Sequence, residues 1–494
     1  MSAEPVEVLD VHRSAKGVQR TQGLTVAAVQ PFLSEIFQVI SVSDLIVRVV
    51  ESWRTIWRQQ VDETVLCVVG TTKRSVTQMN DVTLRYSFEH KATSHWLRSL
   101  MVLLCLSLVG TNTLAEGRVG SPADFATYQL ETRAQLRLQR NFQTHEPLKE
   151  LRWNSPGEWH PPAGVRPSKG ILLVHGLGDS PWSFHDLAPV LAAQGFLVRT
   201  VLLPGHGTRP EDLLQVDLKQ WQRVVHEQAQ VFRRDVEHVY LGGFSTGANL
   251  VLDYAYDNPQ IAGLVLFSPA FRASSRWGWL APLTAWVRPW IVSPDGQRPM
   301  QNSVRYLNMP TNGFAQFHNS SLKAQRRLNE RFYDKPVFMA VAQHDSVLDT
   351  NYLLEMFQFR FTHPASRLVW YGEETLGVYD RGRVLVRKDY LPLLRISQFS
   401  HMGLLFAPGN PLYGERGILR ICSNGQPSNA TRACEQGALT WYSDWGYREE
   451  GKVHARLTFN PYFDWQASVL ATVLDALPIN ADVESTPSSQ ESYP

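Results

Sequence analysis

From Gly170 onward the chain alternates between short apolar runs and amphipathic stretches. Residues 171–174, 196–203, His238–Phe244 and Ile261–Phe267 are largely apolar, the pattern of strands buried on both faces. Between them, 183–194 and 217–233 read as helices, the first with Leu187, Val190 and Leu191 on one face, and a further helix starts at Gly247. This order predicts a mostly parallel sheet with helices on both faces, the α/β class. The alternation stops after Ser268-Pro269 and resumes with Val337–Ala342, a helix near 348–358 and the strand Arg367–Tyr371. Residues 464–477 read as a final amphipathic helix. Upstream, 122–143 places Phe125, Leu130, Leu136 and Leu138 among arginines and glutamines and predicts an amphipathic helix on the main domain. No internal repeat is present.

With 494 residues the chain exceeds one ordinary domain and suggests a catalytic domain with added segments. A hydrophobic share of 44% and a charged share of 19% are those of a globular protein. A net charge of +2 without a long basic run gives no reason to expect nucleic acid as a partner. The four cysteines, Cys67, Cys105, Cys422 and Cys434, form no CxxC pair and no zinc spacing, so neither a metal nor a cofactor is expected. Cys422 and Cys434 flank a polar loop. In an oxidising compartment they close a disulfide; in the cytosol they are two thiols.

Residues 100–110 are apolar, follow Lys91 and Arg98, and precede Thr113-Leu114-Ala115 and Glu116, the three-part order of a secretory signal. The run is short for a membrane span of about 20 residues. The expected organisation is therefore an uncharacterised extension over 1–98, a signal peptide or membrane anchor over 99–115, and a helical lead-in over 116–168. A catalytic domain follows over 169–478 with a cap at 272–334, and then a disordered tail over 479–494. The signal sits far from the N-terminus; either Met79 is the true start or 1–98 is a cytoplasmic extension before an uncleaved anchor. The expected location is outside the cytoplasm, periplasmic or secreted.

Gly243-Phe244-Ser245-Thr246-Gly247 is a G-x-S-x-G motif between an apolar strand and a helix, the context in which the serine of such a motif becomes an exposed nucleophile. Side chains at 243 and 247 would collide with the neighbouring strand and helix, so glycine is required there. Acyl transfer needs two preorganised donors for the developing oxyanion. The Thr246 N–H is one candidate. The Leu177 N–H, in the His175-Gly176-Leu177-Gly178 loop after the first strand, is the other. In a strand–helix fold of this kind the acid and then the base follow the serine. Asp345, just beyond the strand ending at 342, is the expected acid, with Asp349 as the alternative that caps the next helix. His401, in Ser400-His401-Met402-Gly403, is the expected base, while His175 is read as a buttress of its loop.

His175-Gly-Leu-Gly-Asp-Ser-Pro-Trp-Ser-Phe, Leu203-Pro-Gly-His-Gly-Thr-Arg-Pro-Glu-Asp-Leu and Gly243-Phe-Ser-Thr-Gly together resemble the bacterial carboxylesterase and monoacylglycerol lipase branch of the α/β hydrolases, over roughly 168–478. The resemblance implies an α/β-hydrolase fold with an inserted cap. It implies a Ser245–Asp345–His401 triad acting on acyl esters through an acyl-enzyme, Leu177 and Thr246 as oxyanion donors, and a structural His206. Thr246 departs from the methionine common there, and the interval from Asp345 to His401 is long, with an insertion at 376–388 that reads as a hairpin. In the cap, Trp277, Trp279, Trp286 and Trp290 are candidates for lining an acyl pocket, packing the cap, or touching a lipid surface. The same triad serves amidases, peptidases and thioesterases, and a hydrolase fold can also be retained for non-catalytic envelope assembly.

If residues 99–115 direct export, N-terminal sequencing of the exported protein will find a mature end at or near Glu116; an intact N-terminus overturns that reading.

Overall fold

Eight strands form one sheet in the order β1-β3-β2-β4-β5-β6-β7-β8, and every neighbouring pair is parallel except β1 with β3. The strands are β1 (Glu158–Trp159), β2 (Lys169–Val174), β3 (Leu197–Val201), β4 (His238–Phe244), β5 (Ile261–Phe267), β6 (Val337–Ala342), β7 (Arg367–Tyr371) and β8 (Val384–Arg387). The structure, a computed structural model, describes residues 124–475 apart from 165–166, 276–277, 295–298 and 374–378. The expected extension, signal segment and tail lie outside the described residues.

Side chains alternate across the sheet and feed two cores. Leu172, Val174, Leu241, Leu264, Leu266 and Met339 pack on one face. Ile171, Leu173, Tyr240, Val265, Phe267 and Phe338 pack on the other. Both sets are buried, which is why these strands read as unbroken apolar runs. Helices α1 (Phe125–Gln139), α2 (Pro147–Asn154), α3 (Leu187–Ala193), α4 (Leu218–Phe232), α5 (Thr246–Asp257), α6 (Ala281–Val287), α7 (Thr311–Glu330), α8 (Thr350–Arg360), α9 (Ser428–Glu435) and α10 (Phe463–Asp475) complete the chain. The arrangement is the α/β-hydrolase fold.

Two expectations need correction. In α1 only Phe125 and Leu136 are buried, whereas Leu130 and Leu138 are exposed. At 3.6 residues per turn, positions 125 and 136 fall about 20° apart, while 130 and 138 point well away from them. Within 379–388, the described part of the 376–388 insertion, the expected hairpin does not form. Asp380–Arg383 turns the chain into β8, which runs parallel to β7 in the register Leu368↔Val384. Arg383 fixes that turn by pairing with Asp380 at 2.5 Å and donating to the Gln358 and Phe361 carbonyls at the C-terminal end of α8. The cap is unequal in its two halves. Helix α7 is 20 residues long and lies on α5, joined by Arg327 and Lys323 to Asp253 at 2.9 and 3.1 Å and by Asn249 to Ser320 at 3.0 Å. Helix α6 buries none of its residues.

A small parallel sheet of β9 (Thr440–Ser443) and β10 (Val453–Arg456) follows His401 in sequence, with α9 packed beside it. Cys422 and Cys434 are disulfide-bonded and buried here. Gln426 bonds the Cys422 and His454 carbonyls, tying the bridged loop to β10.

The bridge closes a loop with a sequence separation of 12. Replacing both cysteines with serine is expected to lower the unfolding free energy by about 3 kcal/mol, on the loop-entropy scale. Denaturant unfolding under oxidising conditions measures this, and an unchanged midpoint assigns the bridge no stabilising role.

Candidate active site

Ser245 stands between β4 and α5 with φ 53° and ψ −115°, a backbone region that L-residues rarely adopt. Such strain costs on the order of 1–3 kcal/mol and persists only where its surroundings enforce it. Here they do. The Ser245 N–H donates to the Phe267 carbonyl at 3.0 Å, and the Ser245 carbonyl accepts from Ala248 and Ala270 at 3.1 and 3.2 Å. A Cβ at Gly247 would lie 2.0 Å from the Val174 carbonyl oxygen, and one at Gly243 would lie 2.4 Å from the Ala248 nitrogen. Both glycines of the motif are thus required by contact: α5 starts where β2 and β4 leave no room for a side chain.

Asp345 and His401 meet Ser245 from separate loops. The His401 Nδ1–H donates to Asp345 Oδ2 at 2.6 Å, and the Ser245 hydroxyl donates to His401 Nε2 at 3.1 Å. The Asp345 side chain is fully buried, and its other oxygen accepts from the Val347 and Leu348 amides at 2.9 and 3.2 Å. One oxygen is therefore fixed by backbone and the other is aimed at the imidazole. Asp349, the alternative acid, caps α8 through the Tyr352 amide at 3.1 Å and pairs with Arg272 at 2.9 Å. Three other histidines after the serine have partners of their own: His344 lies 3.7 Å from Asp389, His363 accepts the Ala365 amide at 3.2 Å, and His454 lies 3.6 Å from Glu449.

Thr246 follows the serine directly, and Leu177 follows Gly176, where an added Cβ would lie 3.2 Å from the Ser245 Cβ; among the described residues neither the Leu177 nor the Thr246 amide meets a backbone acceptor. The Thr246 hydroxyl is buried without a partner. The His175–Gly178 loop is held from the cap. Tyr306 donates its N–H to the Gly178 carbonyl at 2.7 Å, Arg305 pairs with Asp179 at 2.6 Å, and Met309 covers Gly178, whose φ is +75°. Burial raises the Asp179 carboxyl above its usual range, opposed by Arg305 and by the charge of His401. His175 donates from Nδ1 to the Gly176 carbonyl at 2.8 Å and accepts the Leu203 N–H on Nε2 at 3.0 Å, a buttress between two loops. His206 packs against it with ring centroids 4.9 Å apart.

Of the four cap tryptophans, Trp277 lies outside the described residues, as does the side chain of Trp279. Trp286 is 66% exposed, and Trp290 is half-buried where the cap chain pairs with Pro310. A cavity of about 620 Å³ opens elsewhere, between α1, the 202–216 loop and α4, and touches none of Ser245, Asp345 or His401. Three supporting residues had no motif to mark them. Ser268, at φ 40°, donates its hydroxyl to the His401 carbonyl at 3.1 Å. Arg305 pairs with Asp179 at the end of the His175–Gly178 loop. Asp444, after β9, accepts from the His401 and Ser346 amides at 3.3 and 2.7 Å. A Ser-Pro at a strand end was the only available signal for the first; the other two lie far from the motifs in sequence.

The chain is similar to several known proteins. A family model described as serine aminopeptidase, S33, matches residues 165–358. The chain is 26% identical over 180 residues to the thermostable monoacylglycerol lipase of Bacillus sp. strain H-257, covering 35% of this chain and 70% of that protein. It is 23% identical over 231 residues to the carboxylesterase of Bacillus subtilis strain 168, covering 46% and 92%. Among solved structures it is similar to a soluble variant of the monoglyceride lipase of Saccharomyces cerevisiae, at 18% identity and a TM-score of 0.36, covering 44% of this chain and 82% of that one. The chain thus resembles the α/β-hydrolase superfamily over its central region.

The paired histidines behind the oxyanion loop set an acid limit on stability. Burial holds His175 well below the ordinary imidazole value of 6.5 and His206 at about 4. Between those values the unfolded chain binds a proton that native His206 does not. The native state is therefore fully favoured above about pH 6.5 and loses that advantage as pH falls through 4. A shift from 6.5 to about 4 corresponds to roughly 3 kcal/mol. Unfolding measured from pH 7 to pH 4 is expected to show this loss, with a smaller slope in His206→Gln; equal slopes remove His206 from the account.

Proposed function

We propose that this α/β-hydrolase-fold chain is a serine hydrolase of carboxylic esters, acting through Ser245, His401 and Asp345 and an acyl-enzyme. The observation that carries this reading is the hydrogen-bonded chain from Ser245 through His401 to buried Asp345, built on a strained turn. His401 removes the hydroxyl proton as Ser245 attacks the acyl carbon and returns it to the leaving alcohol. Asp345 holds the imidazole in the tautomer that leaves Nε2 free to accept, and stabilises the imidazolium. The Leu177 and Thr246 amides receive the negative charge that develops on the carbonyl oxygen. Water then repeats the sequence on the acyl-enzyme.

Likeness to a monoacylglycerol lipase and a carboxylesterase of Bacillus favours esters, monoacylglycerols among them, as the substrate class. The family model's description favours a second reading, hydrolysis of a peptide or amide bond by the same three residues. The catalytic domain is taken to span 169–478, with 272–334 as its cap. Contact with a lipid surface is supported by Leu283, Trp286 and Val287, exposed together on α6. Location outside the cytoplasm is supported by the Cys422–Cys434 disulfide together with the apolar run at 100–110. Among the described residues no helix is long and apolar enough to cross a membrane.

p-Nitrophenyl esters of graded chain length, monoacylglycerols and aminoacyl anilides assayed side by side separate the readings. The expected outcome is ester turnover, stoichiometric labelling of Ser245 by a fluorophosphonate, and a loss of about 10³-fold or more in Ser245→Ala. Wild-type turnover by Ser245→Ala overturns the proposal, and anilide turnover without ester turnover establishes the second reading.

A further inference from the structure

The catalytic base and acid sit on loops that share one further partner. Asp444 is buried at the end of β9, with a side chain that faces both loops. Its Oδ1 accepts the backbone N–H of His401 at 3.3 Å, and its Oδ2 accepts that of Ser346, the residue after Asp345, at 2.7 Å. A single carboxylate thus spans the two chain segments whose separation sets the Asp345–His401 hydrogen bond. The other side of the His401 backbone is held by the Ser268 hydroxyl at 3.1 Å, so Asp444 completes a grip on both polar groups of that residue.

Asp444 is itself firmly placed. Asn424 donates to the Asp444 carbonyl at 3.0 Å and to the Ser443 hydroxyl at 3.1 Å, and accepts from Arg456 at 2.7 Å. Asn424 lies two residues from the disulfide-bonded Cys422. Burial raises the Asp444 carboxyl, and the neighbouring negative charge of Asp345 acts in the same direction; the buried guanidinium of Arg456 and the Ser346 amide oppose them. A buried carboxylate at this cost, beside a second one, is not what packing alone selects. Replacing it with an apolar group would leave two amides buried without acceptors.

We infer that Asp444 is a positioning residue for the proposed reaction, using its carboxylate to hold the His401 and Asp345 loops at the separation proton transfer needs. The inference rests on the Ser245–His401–Asp345 reading. Asp444 does not touch substrate. It acts through the backbone of the base and of the residue after the acid, so its loss falls on the chemical step more than on substrate binding. Asn is nearly isosteric but has one acceptor oxygen and an NH₂ group, so it satisfies only one of the two amides.

The test uses Asp444→Asn in the full chain, with p-nitrophenyl ester turnover, the rate and stoichiometry of fluorophosphonate labelling, and thermal unfolding. The expected result is a kcat lower by about 10- to 100-fold, the scale of a small misplacement of reacting groups. KM stays within about twofold, because ground-state contacts are unchanged. Labelling slows in parallel but still reaches one probe per chain.

Asp444→Ser, which leaves room for water to bridge the amides, substitutes if Asp444→Asn does not fold. Failure of both to fold assigns Asp444 to stability alone and overturns the inference. So does a folded variant with wild-type kcat. Ser245→Ala, run in parallel, separates the two levels. If it retains activity, the triad reading fails first; if it is inactive while Asp444→Asn is wild-type, only the positioning role fails.

Discussion

The tightest constraint in this protein is the contact between Gly247 and the end of β2. The Val174 carbonyl oxygen sits where a Cβ would be, and the Ala248 nitrogen occupies the same kind of space above Gly243. These two contacts force α5 to begin immediately after β4 and leave Ser245 in a left-handed conformation. Everything else in the site is arranged around that fixed point. β5 supplies the acceptor for the Ser245 amide, the β6 and base loops bring in Asp345 and His401, and the β2 loop brings in Leu177.

Much of this was legible in the chain because each feature is short-range. A strand buried on both faces is apolar throughout, and the parallel core β2, β3, β4, β5, β6 and β7 announced itself that way. The motif glycines are local steric requirements, and the order of serine, acid and base follows from where loops leave the strands. The exact partner of His401 was chosen between two aspartates four residues apart. Position alone favoured Asp345, and the structure assigns Asp349 to the end of α8, where its carboxylate meets a backbone amide and Arg272.

What was not legible depends on contacts distant in sequence. β8 was mistaken for half of a hairpin because a turn-rich segment does not say which way the chain re-enters the sheet. Arg383, holding carbonyls at the end of α8, decides the direction. The α1 face was misread because polar and apolar residues are mixed along it, and only packing selects Phe125 and Leu136. Asp444, Arg305 and Ser268 belong to no spacing rule. Each contributes one or two hydrogen bonds across many intervening residues to a loop that already looked complete.

The two halves of the cap differ in what their displacement would disrupt. Moving α7 away from α5 separates Asp253 from both Arg327 and Lys323 and uncovers Asn249. Helix α6 packs on α7 but has no buried residue of its own. The anchoring of this segment is therefore one-sided: it runs through α7 to α5, while α6 rests on α7 with its side chains partly in solvent.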